Sequence, residues 1–270
     1  MTTICLIPGL VLYGLASVAY LILSFGYPAE MAASWRHRLA ASAKIFTILG
    51  VLLQVSYLIT FYFFERGMPL VTGLSDSLFF ISLGSVVLFL WLLFRYEWFS
   101  LGAFFLPLAF ILFVLALDRS HDSFYLLYLF GKSRWLLLLH LFFALMSVVL
   151  LFGCFILGIV FWLHERRLKA KKIDALALNL PPLLLNEKRA LNFLKVGFVC
   201  LTFVLITGSM LLTHVDLSFG QKGWHIALAI VAWGFYAVAV NRRWLGPMGH
   251  KILLLSFLGF FSLAALILWN

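Results

Sequence analysis

Charge is scarce in this chain. Only 11% of its 270 residues are Asp, Glu, Lys or Arg, against 64% hydrophobic residues. With a mean hydropathy of +1.10 there is too little polar surface to clothe a soluble core. Acidic residues are the scarcest, ten in all and none at the middle of an apolar run. A proton or cation relay built on buried carboxylates therefore lacks its usual residue type. Cysteine is equally thin: Cys5, Cys154 and Cys200 lie scattered in apolar stretches and form neither C-x-x-C nor C-x-x-C-H. That spacing excludes a thiol–disulfide relay and covalent haem attachment, and each thiol is expected to be a small buried hydrophobe. No Walker loop, G-x-G-x-x-G, H-E-x-x-H or G-x-S-x-G is present, so the chain is not expected to be an enzyme. Alternating ten-residue segments are missing too, which dismisses a membrane β-barrel. Internal repeats and domain linkers are likewise absent, so a single integral membrane domain over residues 1–270 is expected.

What the chain has instead is long apolar runs. A span needs about 20 apolar residues at about 1.5 Å rise each, and eight such runs fit, over residues 4–24, 39–64, 74–94, 98–117, 135–162, 191–212, 224–240 and 250–269. The fold class is thus an all-α polytopic membrane bundle of about eight transmembrane helices. No Lys or Arg precedes the first run and no clear small-residue cleavage site follows it, so it reads as a retained span and not a signal peptide.

Orientation follows from Lys and Arg in alternate connections. One side carries fifteen: Arg36, Arg38, Lys44, Arg95, Arg166, Arg167, Lys169, Lys171, Lys172, Lys188, Arg189, Lys195, Arg242, Arg243 and Lys251. The other has five: Arg66, Arg119, Lys132, Arg134 and Lys222. The richer side is expected in the cytoplasm, with both termini external. The net charge of +10 is mostly this topological signal plus attraction to anionic lipid headgroups, and it calls for no nucleic-acid partner.

The same topology sorts the seven histidines. His37, His164 and His250 sit among cytoplasmic basic residues, where solvated or headgroup-contacting side chains are expected. His121 lies in the external loop Asp118-Arg-Ser-His-Asp122. His140 falls roughly 9 Å inside the span that starts at Trp135, while His214 and His225 flank the short external connection after span six. Imidazoles at the lipid edge are functional candidates by default, with haem iron or another metal as the obvious ligand. Two imidazoles can flank a haem iron, and a membrane-edge pocket supplies apolar walls for the porphyrin. The plainer alternative is that His140 hydrogen-bonds a neighbouring helix while His214 and His225 are wetted interfacial residues.

Between spans five and six, the segment His164-Glu-Arg-Arg-Leu-Lys-Ala-Lys-Lys172 favours helix and pairs Glu165 with Lys169 at i, i+4, so the fifth helix is expected to project from the membrane. Pro181 and Pro182 stop helices, and Asn186-Glu187 resembles a cap for the next one. Trp35, Trp98, Trp135, Trp162, Trp224, Trp244 and Trp269 fall near span ends as an aromatic belt, with Trp91 close to one and Trp233 inside span seven. Gly50, Gly84, Gly153, Gly158, Gly208 and Gly234 would let helices approach closely.

The second half has a recognisable order: His140-Leu-Phe-Phe-Ala-Leu-Met-Ser147, Glu165-Arg-Arg-Leu-Lys169, Pro181-Pro-Leu183, Glu187-Lys-Arg189, Thr207-Gly208 and Ala229-Ile-Val-Ala-Trp233. It resembles the cytochrome c assembly transmembrane family, closest to the YpjD-like and HemX-like inner-membrane branch. The resemblance covers residues 135–269 well and the first four spans by hydropathy and length. It implies a multi-pass protein of the bacterial inner (plasma) membrane related to the haem-handling proteins of cytochrome c maturation. In such relatives a histidine opening the equivalent of span five is a haem-ligand candidate, and His140 matches it. Haem-presenting members also carry a tryptophan-rich external segment between the equivalents of spans six and seven, where this chain has only Val215-Asp-Leu-Ser-Phe-Gly-Gln-Lys-Gly223. Relatives often place further histidines where this chain has Asn241 and, in span two, Gln54, Ser56 and Tyr57.

The resemblance implies a haem-binding protein of cytochrome c biogenesis or tetrapyrrole metabolism, with His140 as ligand and His214 or His225 as its partner. The alternative is a non-catalytic accessory subunit of another membrane protein or transporter that keeps the fold without haem. A haem carrier or exporter is a third possibility, resting on fold analogy.

Overall fold

The computed structural model describes residues 2–25, 33–60, 74–117, 134–171, 180–212, 219–241 and 250–268. In chain order the elements are α1 (Thr2–Phe25), α2 (Ala33–Ile59), α3 (Leu74–Tyr96), a 3-10 turn (Phe99–Leu101), α4 (Gly102–Leu115), α5 (Arg134–Lys169), α6 (Leu183–Leu212), α7 (Phe219–Val240) and α8 (His250–Leu268). Among the described residues there is no strand. Leu6–Phe25, Ser34–Ile59, Ser75–Tyr96, Trp135–Lys169 and Leu183–Leu211 are long and apolar enough to cross a membrane; Phe99–Leu115, Ile226–Val240 and Ile252–Ala265 are shorter apolar helices. The chain is a multi-pass helical membrane protein, as its composition predicts.

Two compact units divide it. The first comprises residues 1–70, 78–118 and 160–183, and the second residues 71–77, 119–159 and 184–270. In the first unit, α1 turns Tyr13, Ala16, Ser17, Ala19, Tyr20 and Ser24 inward, while Ile7, Val11, Leu15, Val18 and Ile22 are exposed. This inversion of the soluble pattern is what lipid demands. Acyl chains solvate Ile and Val as well as a protein interior does, so small and hydroxylated residues take the helix contacts. Tyr13 donates its hydroxyl to Gln54 Oε1 of α2 at 2.8 Å, and Gln54 Nε2 donates to the Phe79 carbonyl of α3 at 3.3 Å. Ser82 Oγ donates to the Ala109 carbonyl at 2.8 Å, tying α3 to α4.

The second unit is a ring of four helices. Helices α5 and α6 run antiparallel, and a succession of contacts marks their seam. Leu137 packs with Leu211, the rings of Phe143 and Phe203 stack at 4.8 Å, Ser147 Oγ donates to the Gly197 carbonyl at 3.2 Å, and Asn186 Nδ2 donates to the Leu157 carbonyl at 3.1 Å. Trp233 of α7 donates Nε1–H to Thr202 Oγ1 of α6 at 3.1 Å. Tyr236 of α7 donates to the Ser256 carbonyl of α8 at 3.5 Å. Phe155 of α5 stacks on Phe260 of α8 at 4.5 Å and closes the ring.

Some expectations need correction. Helix α6 begins at Leu183, well before Leu191, so Asn186 is no cap; it is fully buried inside the helix and serves the seam. His164 is not solvated: it is 8% exposed, and its Nδ1 lies 3.1 Å from the Pro181 carbonyl, which only a ring N–H can satisfy. The bond folds the Pro-Pro connection against the end of α5. Trp98 is buried beside Tyr96, with ring centroids 4.9 Å apart, instead of lying in an exposed belt. Gly234 faces open space, so it mediates no close approach, whereas a Cβ at Gly158 would lie 2.8 Å from the Leu253 side chain. Other expectations hold. Helix α5, at 36 residues, is about 54 Å long and outruns a hydrocarbon core of about 30 Å. Its end carries the Lys169–Glu165 pair at 2.7 Å. Cys154 and Cys200 are buried free thiols.

Candidate functional site at His140

His140 sits in the second turn of α5, half-buried against α6. One turn toward the start of α5, Leu137 and Leu211 close over it, with Leu136 and Leu141 packed alongside. One turn further along, the Phe143–Phe203 stack forms a floor. The imidazole is thus a polar group between apolar layers, and burial there is tolerable because its Nδ1 lies 3.0 Å from Thr207 Oγ1.

Two neighbours shape the ring's position. Thr207, 5% exposed, donates its hydroxyl back to the Phe203 carbonyl at 2.7 Å, the usual resting place of a threonine within a helix. Gly208 supplies room: a Cβ there would lie 3.2 Å from His140 Cε1 and 3.6 Å from Nδ1. Around this pair the outward surface is apolar, with Leu139, Phe142, Ile206 and Met210 all exposed.

The other two candidates are not brought beside His140 by any described contact. His214 lies outside the described residues; His225 falls within α7, with its side chain outside them. His121 is also outside, as is the side chain of His250, while His37 is exposed as expected. Gln54 is committed to Tyr13 and Phe79 in the first unit. Asn241 closes α7, its N–H donating to the carbonyls of Ala237 and Val238 at 3.3 and 3.2 Å. Asp76, whose sequence position marks it only as an acid near an external span end, is completely buried in the first turn of α3 and belongs to the same unit as His140. An acid between serines at the positive end of a helix was the available signal. Sequence reasoning treated Gly208 as generic packing and Thr207 as no more than part of a pattern.

The donor set can be tested against chemistry. Among the described residues no three His, Cys, Asp or Glu side chains converge. A lone imidazole with apolar walls is a poor cage for a bare ion. It suits an iron that brings its own equatorial nitrogens in a planar apolar macrocycle, as haem does. His140 would hold such a group through one imidazole nitrogen.

A family model described as cytochrome C assembly protein matches residues 71–268, well over half of the chain. The chain belongs to the cytochrome c assembly protein family. The match takes in α3 and α4 as well as the second half, so family likeness reaches further toward the N-terminus than the motifs from residue 135 onward indicate. No curated protein and no solved structure matches the chain.

Proposed function

We propose that this member of the cytochrome c assembly family is a haem-handling protein of the bacterial inner membrane, with no enzymatic activity of its own. His140 would hold the haem iron near the external face, and His225 or His214 would supply a second imidazole. The observation that carries this reading is the His140 site: an imidazole anchored through one ring nitrogen, with leucines and phenylalanines along the same seam, in the part of the chain the family model covers. The test is a spectrum. Purified protein supplemented with haem in detergent is expected to give a Soret band that shifts or disappears in His140→Ala. If the wild-type protein gives no band, the reading fails.

A second reading, an accessory subunit docked on another membrane protein, has one observation in its favour. Leu184 and Leu185 are 76% and 45% exposed at the start of α6. Lys188 and Lys195 are exposed further along the same helix, and lysines facing acyl chains would be costly, so the headgroup level lies near them. Leu184 then stands about 6 Å beyond Lys188 and about 16 Å beyond Lys195, at or past the headgroup level. Co-purification of a membrane partner that survives His140→Ala and is lost in Leu184→Ser/Leu185→Ser would support this reading. Association that tracks haem occupancy would oppose it.

A further inference from the structure

We infer that Thr207 and Gly208 are positioning residues that present His140 in a single tautomer, protonated on Nδ1 and with the Nε2 lone pair open to a ligand. Thr207 has a single hydroxyl hydrogen and three acceptors in reach: His140 Nδ1 at 3.0 Å, the Val204 carbonyl at 3.3 Å and, closest of all, the Phe203 carbonyl at 2.7 Å. The Phe203 carbonyl is the closest and strongest acceptor, and the hydroxyl reaches it within its own helix without ordering a second chain segment. With the hydrogen turned there, Thr207 Oγ1 offers only lone pairs to the imidazole. The 3.0 Å contact is then a hydrogen bond only if Nδ1 carries the proton. A neutral imidazole protonated on Nδ1 has its lone pair on Nε2; the Val204 main chain also hydrogen-bonds the ring, and a carbonyl can only accept a proton from it. The relay runs His140 Nδ1–H to Thr207 Oγ1, then Thr207 O–H to the Phe203 carbonyl.

Gly208 fixes the remaining freedom. Hydrogen bonding through Nδ1 leaves the ring free to swing about that contact, and its Cε1 edge lies against the space where a side chain at 208 would stand, 3.2 Å from an ideal Cβ. A hydrogen atom in that place leaves a slot one ring thick. The Leu137–Leu211 pair and the Phe143–Phe203 stack lie about one turn to either side along the same seam. Ligating histidines generally hold their second nitrogen to an outer partner that sets tautomer and orientation. Here an uncharged hydroxyl does so, which keeps any charge developing at the site on the ligand side. The presentation of Nε2 stands on these contacts alone; only its use for iron rests on the haem reading.

The test separates the two. In cofactor-free protein with 15N-labelled histidine, in lipid bilayers, solid-state NMR distinguishes a protonated from an unprotonated ring nitrogen, and His140→Ala identifies the His140 signals by their loss. The wild type is expected to show His140 with Nδ1 protonated and Nε2 bare. Thr207→Val, nearly isosteric, is expected to lose that preference, and Thr207→Ser to restore it. A wild-type spectrum with the proton on Nε2, or one unaltered in Thr207→Val, overturns the proposal. In haem-supplemented protein, Thr207→Val is expected to weaken binding about 10–100-fold and to shift the midpoint potential, with Thr207→Ser close to wild type. Gly208→Ala is expected to perturb the His140 signals and the Soret maximum while leaving the Thr207–Phe203 bond intact. A correct tautomer with no Soret band rejects the haem reading and leaves the positioning role in place.

Discussion

Asn186 donates from Nδ2 to the main-chain carbonyl of Leu157 at 3.1 Å, and its Oδ1 has no hydrogen-bond partner. The residue is fully buried, so the bond joins the first turn of α6 to α5 away from competing water. Asn186→Ala is expected to lower stability by about 1–2 kcal/mol, through loss of the bond and of packing around it. Asn186→Leu fills the space and removes the unpaired acceptor, so it should recover part of that loss. Unfolding curves in detergent would check both; an Ala variant as stable as wild type would refute the role.

In the first unit, Tyr13 and Gln54 form a pair whose members are 0% and 1% exposed. Tyr13→Phe leaves Gln54 Oε1 buried without its donor and should cost about 1–3 kcal/mol. Tyr13→Phe/Gln54→Leu removes both partners, so its effect should fall short of the two single losses added together, by about 0.5–3 kcal/mol. Additive losses across this double-mutant cycle would contradict the pairing.

The bond from His164 to the Pro181 carbonyl holds the connection against the end of α5. His164→Ala should release it, seen as faster tryptic cleavage after Lys171, while α-helical circular dichroism stays unchanged. His164→Gln, which keeps an N–H donor, should cleave at an intermediate rate. Equal cleavage rates in all three proteins would refute the bracing role.

Glu165 and Lys169 meet at 2.7 Å, but their side chains are 24% and 67% exposed. Solvent screening and side-chain entropy leave such a pair worth little. Glu165→Gln is therefore expected to change stability by less than about 0.5 kcal/mol. A drop in melting temperature as large as that of Asn186→Ala would mean the pair belongs to a network not accounted for by its own geometry.

What the sequence revealed depended on the kind of signal each feature leaves. Apolar runs set the helices because length and hydropathy are local and additive, and the i, i+4 pair at Glu165 was legible for the same reason. Asn186 and His164 were misread because local rules place Asn near helix starts and His among cations in water, whereas here each is recruited by a carbonyl 29 and 17 residues away. Only the assembled helices bring those acceptors close. His140 stood out as an ionisable group inside an apolar run, yet its partner was invisible, because Thr207 lies 67 residues on and reads as an ordinary helical threonine. The inward face of α1 is a further case: in lipid, burial no longer follows hydrophobicity, so Ser17 and Ala16 go in while Ile22 stays out.

The α5–α6 seam has one more consequence. Two apolar helices side by side in acyl chains gain almost nothing from the solvent by choosing one alignment over another, so sliding by a turn, about 5.4 Å, would be nearly free if van der Waals contact were all that joined them. Three polar links, from His140, Ser147 and Asn186, sit at three depths along this pair. Each has its acceptor on the opposite helix, and a one-turn slip would break all three together. The alignment is therefore set digitally, in whole turns, and the imidazole takes its depth in the membrane from two links far from it as much as from its own.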